Sequence, residues 1–374
     1  MNYTIKYMLY IIGCAAKGVT PDIPSEKLDY ELMFKISKEQ QVENLVYAAL
    51  KSINADIPEE LSRKFRQCYE KAIVREAKQA LELENICAAL SEAGIKHIPL
   101  KGSVVKYMYA SPDLRQSGDT DILIDRFDED EIMKIMTMLG YKHYSTNSKH
   151  SVYEKGKIHI ELHYYLVDNA HGRQEFFSHV WETASQADGY MYEMQPEMLY
   201  AFQLTHLASH LSHGGAGIKL ITDFYVFDKP LDMLVLNSYL RELKLDTLDG
   251  IVRRLVDFWF NMRQTADDSV RFVSEYIIKN GVYGNSETGV KLQFADIHSK
   301  GGKLAHYFKM TFRPYSTMAY MYPFLKKAPF LLPVCYFHRI LKKLTWGRGR
   351  TAEVIRGSRE NGDMHVLSEF KKIL

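Results

Sequence analysis

The chain has 374 residues, 46% of them hydrophobic and 25% charged, which is ordinary globular usage with apolar material for a sizeable core in two or three domains. Lys plus Arg number 48 against 46 Asp plus Glu, a balance that excludes global disorder and a uniformly basic nucleic-acid coat protein. Cys14, Cys68, Cys87 and Cys335 lie far apart with no C-x-x-C pair, which fits neither a disulfide framework nor a cysteine zinc site and suits a reducing cytoplasm.

Residues 1–93 read as an N-terminal helical region. The apolar run Tyr7–Ala16 mimics a short signal peptide, but it is brief and interrupted by tyrosines, so a first amphipathic helix is the better reading. From Pro58 to Glu92 the apolar residues Leu61, Phe65, Cys68, Ala72, Val74, Leu83, Ile86 and Leu90 fall at helical spacing. Glu59 and Glu60 suit the positive end of that helix, and Gly94 suits its C-terminal cap.

Residues 94–170 read as an α/β core. A short strand over Ile95–Leu100 leads into Lys101-Gly102-Ser103, which opens a helix expected to run through Tyr109 before Ser111-Pro112-Asp113 breaks it. A strand over Asp119–Asp125 follows, then an amphipathic helix with Ile132, Ile135, Met136 and Leu139 inward. Residues 149–165 read as a β-hairpin whose second arm alternates, with Ile158, Ile160 and Leu162 on one face and His159, Glu161 and His163 on the other. Residues 171–285 read as a helical domain with breaks at Gly214-Gly215 and Lys229-Pro230, and 286–374 as a basic, aromatic-rich C-terminal region.

The chemistry concentrates in the α/β core. Gly102 permits close backbone approach to a phosphate, helix-start N–H groups bind one, and the Ser103 hydroxyl adds a donor. Asp119 and Asp121 are two apart on a strand, so their carboxylates share a side and can hold divalent metal; Glu161 would complete a cluster for two Mg²⁺ ions (or Mn²⁺) and the triphosphate of an NTP. A Gly-Asp-x-Asp alone is as well explained by a turn before an exposed strand end. Here the first Asp opens a strand of three large aliphatics that must be buried. Arg115 has two readings, a bidentate phosphate ligand or a partner of Asp113 or Asp125. Lys101 also has two, a phosphate contact or a plain exposed lysine.

The segments Ile98–Ser103 and Leu114–Ile124 resemble the uncharacterised bacterial nucleotidyltransferases of the polymerase-beta superfamily. Ile158–His163 is similar to that family's third-carboxylate strand, His206-x-x-x-His210 with Gly217-Ile218-Lys219 and Asp223 to its helical region, and Tyr322–Pro333 with Arg339 to its C-terminal stretch. Fifteen residues separate Ser103 from Asp119, a longer gap than is usual in the superfamily, and Glu161 stands where Asp is commoner. The resemblance implies an α+β fold, a small mixed sheet flanked by helical regions. It implies transfer of a nucleoside monophosphate from an NTP to an acceptor hydroxyl, with Asp119, Asp121 and Glu161 catalytic and metal-ligating and with Lys101, Gly102, Ser103 and Arg115 on the nucleotide.

Two rival readings are a nucleotide- or anion-binding module without turnover and a peripheral membrane protein. Both draw on the C-terminal segment, which has twelve Lys/Arg between Ser299 and Gly357 against one acid, Glu353. An anionic partner at 300–350 and simple neutralisation of the acidic remainder of the chain both account for that asymmetry. His206, His210 and His213 share a helix face at a spacing open to a metal or to packing and hydrogen bonding with Asp223. The acceptor is unassigned: a small molecule, a protein or an RNA end would each serve.

Overall fold

The structure is a computed structural model describing residues 1–282 apart from 127, 169–172 and 262–264, together with 312, 315, 318, 322–326 and 328–345. The chain divides into two compact units, Met1–Leu207 with Gly217–Val282, and Ala208–Ala216 with Tyr283–Leu374.

The first unit begins with helices α1 (Tyr3–Ala16), α2 (Tyr30–Glu39), α3 (Glu43–Ser52) and the long α4 (Glu59–Glu92). Side-chain oxygens of Asn2 and Asp29 cap α1 and α2 by accepting from Ile5 N and Leu32 N. Gly94 follows α4 with φ +66°, the left-handed conformation that terminates a helix. Ten of the fourteen residues of α1 are buried, so its apolar run faces protein on most sides. It packs against α12 (Asp246–Phe260) so closely that a Cβ on Gly13 would stand 2.9 Å from the Phe260 side chain.

Strands β1 (His97–Pro99), β2 (Thr120–Ile124), β3 (Lys142–Thr146), β4 (His150–Lys155), β5 (Ile158–His163), β6 (Ser185–Asp188) and β7 (Met191–Glu193) form one mixed sheet in the order β3-β4-β5-β2-β1-β7-β6. The fold is α+β, as the sequence predicts. The β4–β5 pair is the expected hairpin, and β2–β5 is parallel. Ile122, Ile124, Ile160 and Leu162 point to one face, where they join Leu83, Ile86 and Leu90 of α4 with Ile132 and Met136 of α6 (Glu129–Met138).

The helix opening at Gly102 is shorter than expected. It runs only Gly102–Val105 (α5) and tightens to a 3₁₀ turn over Lys106–Met108. Tyr109 is extended, and its hydroxyl donates to Asp223 Oδ1 at 2.8 Å. After β7 come α9 (Pro196–Ser212), α10 (Ile218–Tyr225), α11 (Met233–Glu242), α12 and α13 (Asp268–Asn280), separated at the predicted Gly and Pro breaks; α7 (Arg173–Ser178) and α8 (Val180–Thr183) precede β6.

In the second unit, α14 (Leu332–Thr345) and two 3₁₀ turns surround a small cluster of Met318, Leu325 and Cys335. Most of the basic segment, including Arg348 and Arg350, and the side chains of Lys342 and Lys343 lie outside the described residues. Among those described, no helix is long and apolar enough to cross a membrane.

Candidate active site

The site is built on the face of the sheet opposite the α4–α6 core. In the parallel β2–β5 pair Asp121 stands directly opposite Glu161, and Leu123 opposite His163. In the antiparallel β4–β5 pair His150 stands opposite His163. Strand alternation therefore sends Ile122 and Leu162 into the core and turns Asp121, Glu161 and His163 the other way. Asp119 lies one residue before β2, on the same side as Asp121. One carboxylate oxygen from each of Asp119, Asp121 and Glu161 lies within 4.8 Å of the other two.

Crowded carboxylates need hydrogen-bond donors, and two side chains supply them. Lys101 Nζ donates to Asp121 Oδ1 at 2.6 Å, and His163 Nε2 donates to the same oxygen at 2.7 Å. His163 Nε2 is also 3.2 Å from Glu161 Oε2, and His150 Nδ1 is 3.5 Å from that atom. Burial opposes ionisation of Asp121, but Lys101 and His163 outweigh it and hold the carboxyl well below the usual aspartate range. Glu161 is likewise lowered, against burial, by the His163 hydrogen bond. Asp119 goes the other way: burial and then repulsion from Asp121 raise it, with Lys101 only partly compensating. Lys101 is thus no plain exposed lysine. Its side chain is 14% exposed and turned into the site from a residue at φ +49°.

Arg115 forms a buried bidentate pair with Asp223 of α10, Nε to Oδ1 at 3.1 Å and Nη2 to Oδ2 at 2.8 Å. Neither Asp113 nor Asp125, the partners expected from sequence proximity, takes it. Gly102 packs against that guanidinium: a Cβ there would stand 2.8 Å from Arg115 Nη1 and 3.0 Å from Ser117 Oγ. The glycine is required for the turn to seat on Arg115. Ser103 is buried, its N–H donates to the Leu100 carbonyl, and it borders a groove of about 680 Å³ with Leu83 and Cys87 of α4.

Lys219, the second residue of α10, donates to Gln41 Oε1 at 3.3 Å. Burial and then Arg115 push its ammonium down to about 8, while Asp223 and Asp119 pull the other way. The structure also brings in His150, which sequence reasoning did not single out. Its signal was the hairpin register that sets it beside His163, with ring centroids 4.9 Å apart. Among the described residues, the groups with metal-binding geometry are Asp119–Asp121–Glu161 and His150–Glu161–His163; the helix-face histidines His206, His210 and His213 belong to neither. His213 Nδ1 donates to the Ser209 carbonyl one turn back.

Three carboxylates with converging oxygens are a hard donor set that fits Mg²⁺ or Mn²⁺ completed by phosphate oxygens. The family model that matches this chain, over residues 26–261, is that of an uncharacterised nucleotidyltransferase. No curated protein and no solved structure matches the chain.

Proposed function

The chain belongs to an uncharacterised nucleotidyltransferase family, and we propose that it moves a nucleoside monophosphate from an NTP to an acceptor hydroxyl, releasing pyrophosphate. The observation that carries this reading is the meeting of Asp119, Asp121 and Glu161 within one 4.8 Å cluster. These three residues would hold Mg²⁺ or Mn²⁺. The bound metal supplies Lewis acidity, acidifying the acceptor hydroxyl and neutralising charge on the phosphates.

The chain's own groups do the rest by position and charge. The acceptor oxygen forms a bond to the α-phosphorus. The bond from that phosphorus to its bridging oxygen breaks, and pyrophosphate leaves with the electron pair. The hydroxyl proton passes to the Glu161 carboxylate. His163 holds Asp121 and Glu161 at fixed separation, and Lys101 balances their charge before nucleotide arrives. Gly102 and Ser103 take the β- and γ-phosphates together with Lys101, and Arg115 fixes that turn from beneath through its contact with Gly102.

The test is label transfer. Full-length protein is incubated with each α-labelled NTP, Mg²⁺ and a cell extract. A discrete labelled acceptor is expected with the native chain and none with Asp119→Asn, Asp121→Asn or Glu161→Gln. Equal labelling by the three variants would overturn the reading.

A further inference from the structure

A second feature of the first unit lies beside the carboxylates and has no part in the chemistry above. Lys71, Arg75 and Lys78 follow one another at i, i+4 and i+7 along one face of α4, and all three are exposed. Across from them stand Lys157, in the turn before β5, and His159 of β5, and between the two sides runs an open groove of about 660 Å³. One carboxylate, Glu70, lines it. Among the described residues, none of the four Lys and Arg side chains has an acidic partner within ion-pair distance, whereas His159 Nδ1 is 3.1 Å from Glu154.

The groove is joined to the site in two places. Gly118, the residue before Asp119, lines it, and open space surrounds the position a Cβ would take there. Arg75 lies near enough to Lys219 to repel its charge, and Lys219 in turn feels the attraction of Asp119. The chain between groove and site is anchored: Gln79 Nε2 donates to the Ser117 carbonyl at 3.3 Å.

The geometry points to this groove as the seat of the acceptor, and to that acceptor as a single strand of nucleic acid whose terminal hydroxyl reaches Asp119 past Gly118. This rests on the nucleotidyltransferase reading and names its substrate class. A row of unpaired cations along a helix matches a row of phosphates better than one compact anion. The floor adds groups that suit bases: the Gln67 amide, the His159 ring, and the apolar Val74 (54% exposed) and Ile158. A strand lying this way presents the hydroxyl whose oxygen bonds to the α-phosphorus as pyrophosphate departs.

The test measures anisotropy of a short fluorescent single-stranded RNA on the full chain, and in parallel the affinity for Mg-NTP. Replacing Lys71, Arg75, Lys78 and Lys157 together with Gln should weaken RNA binding at least about tenfold at low salt. It should also flatten the slope of log K against log salt by about 3, since each lost phosphate contact to a single strand removes about 0.7. Affinity for Mg-NTP should stay within about twofold of the native value, because the carboxylate cluster is intact. RNA binding unchanged by the four substitutions overturns the inference. So does an equal fall in Mg-NTP affinity, which would make the groove a triphosphate subsite, or equally tight, equally sensitive binding of an acidic peptide. If the native chain binds Mg-NTP but no RNA, the groove assignment alone fails. If it binds neither, the nucleotidyl-transfer reading fails with it.

Discussion

Asp121 and Glu161 face each other in register across a parallel strand pair, and one fully buried imidazole touches both, His163 Nε2 lying 2.7 Å from Asp121 Oδ1 and 3.2 Å from Glu161 Oε2. Like charges directly opposed in a sheet destabilise it. A fold that keeps them has placed a histidine and a lysine to hold them. It leaves the third member of the cluster, Asp119, as the one whose charge is least compensated.

Asp119→Asn should therefore stabilise the metal-free protein. Burial and the charges of Asp121 and Glu161 raise the Asp119 carboxyl above its ordinary value of 3.8. A group raised on folding contributes stability that is lost as pH rises through its folded value, so at neutral pH its charge is a cost. We expect a gain of about 0.5–2 kcal/mol at pH 7, seen as a higher Tm. Below the ordinary aspartate range the two proteins should converge. A lower Tm at pH 7 would contradict the account of the site's charge balance.

Lys101→Ala should be among the costliest single changes. It strips a cation from Asp121, which is 3% exposed, and breaking a buried pair from one side costs about 3–5 kcal/mol. Adding Asp121→Asn should recover much of that loss. A double variant showing simple additivity would mean that the 2.6 Å contact carries no coupling energy.

The Gly102 turn yields a steric prediction. Gly102→Ala places a Cβ 2.8 Å from Arg115 Nη1, in a guanidinium already fixed by Asp223 and unable to swing away. Overpacking of this kind costs about 1–3 kcal/mol, measurable by urea unfolding. A neutral result would show that Arg115 is free to yield.

Lys219 titrates in the opposite sense to a paired lysine. Its value falls to about 8 from 10.5, so its ammonium is disfavoured in the fold, and the corresponding stability is present above the unfolded value and lost as pH falls through about 8. Lys219→Gln should raise Tm at pH 7 and lose that advantage above pH 10.5. An advantage of the same size at both pH values would point to packing instead of charge.

The parts of the fold and site that local pattern determines were legible. Helix α4 showed its 3.6-residue period and both ends, the β4–β5 hairpin its alternation, and β2 its aliphatic run. The meeting of Asp119, Asp121 and Glu161 followed from strand parity once β2 and β5 were adjacent. Strand β6 was not legible because all four residues are exposed and show no alternation, and β3 is nearly as open. The helix at Gly102 was overextended because nothing local signals that Tyr109 is drawn out to Asp223, which lies 114 residues away in sequence. The pairing of Arg115 with the same aspartate, at a separation of 108 residues, was hidden for that reason. Lys101 gave no sign of turning inward, since the backbone conformation that aims it is a property of the turn and its surroundings.

The most direct test is calorimetric titration of NTP into the full chain, with and without Mg²⁺, for the native protein and for Asp121→Asn. Oxygen-only ligands predict that metal binds weakly alone and is completed by substrate phosphates. NTP affinity should therefore rise with Mg²⁺ in the native chain and fall by about tenfold or more in the variant, the loss expected when one charged ligand is removed. Equal NTP binding in EDTA, in Mg²⁺ and in Asp121→Asn would contradict the claim that these three carboxylates hold the metal for nucleotidyl transfer.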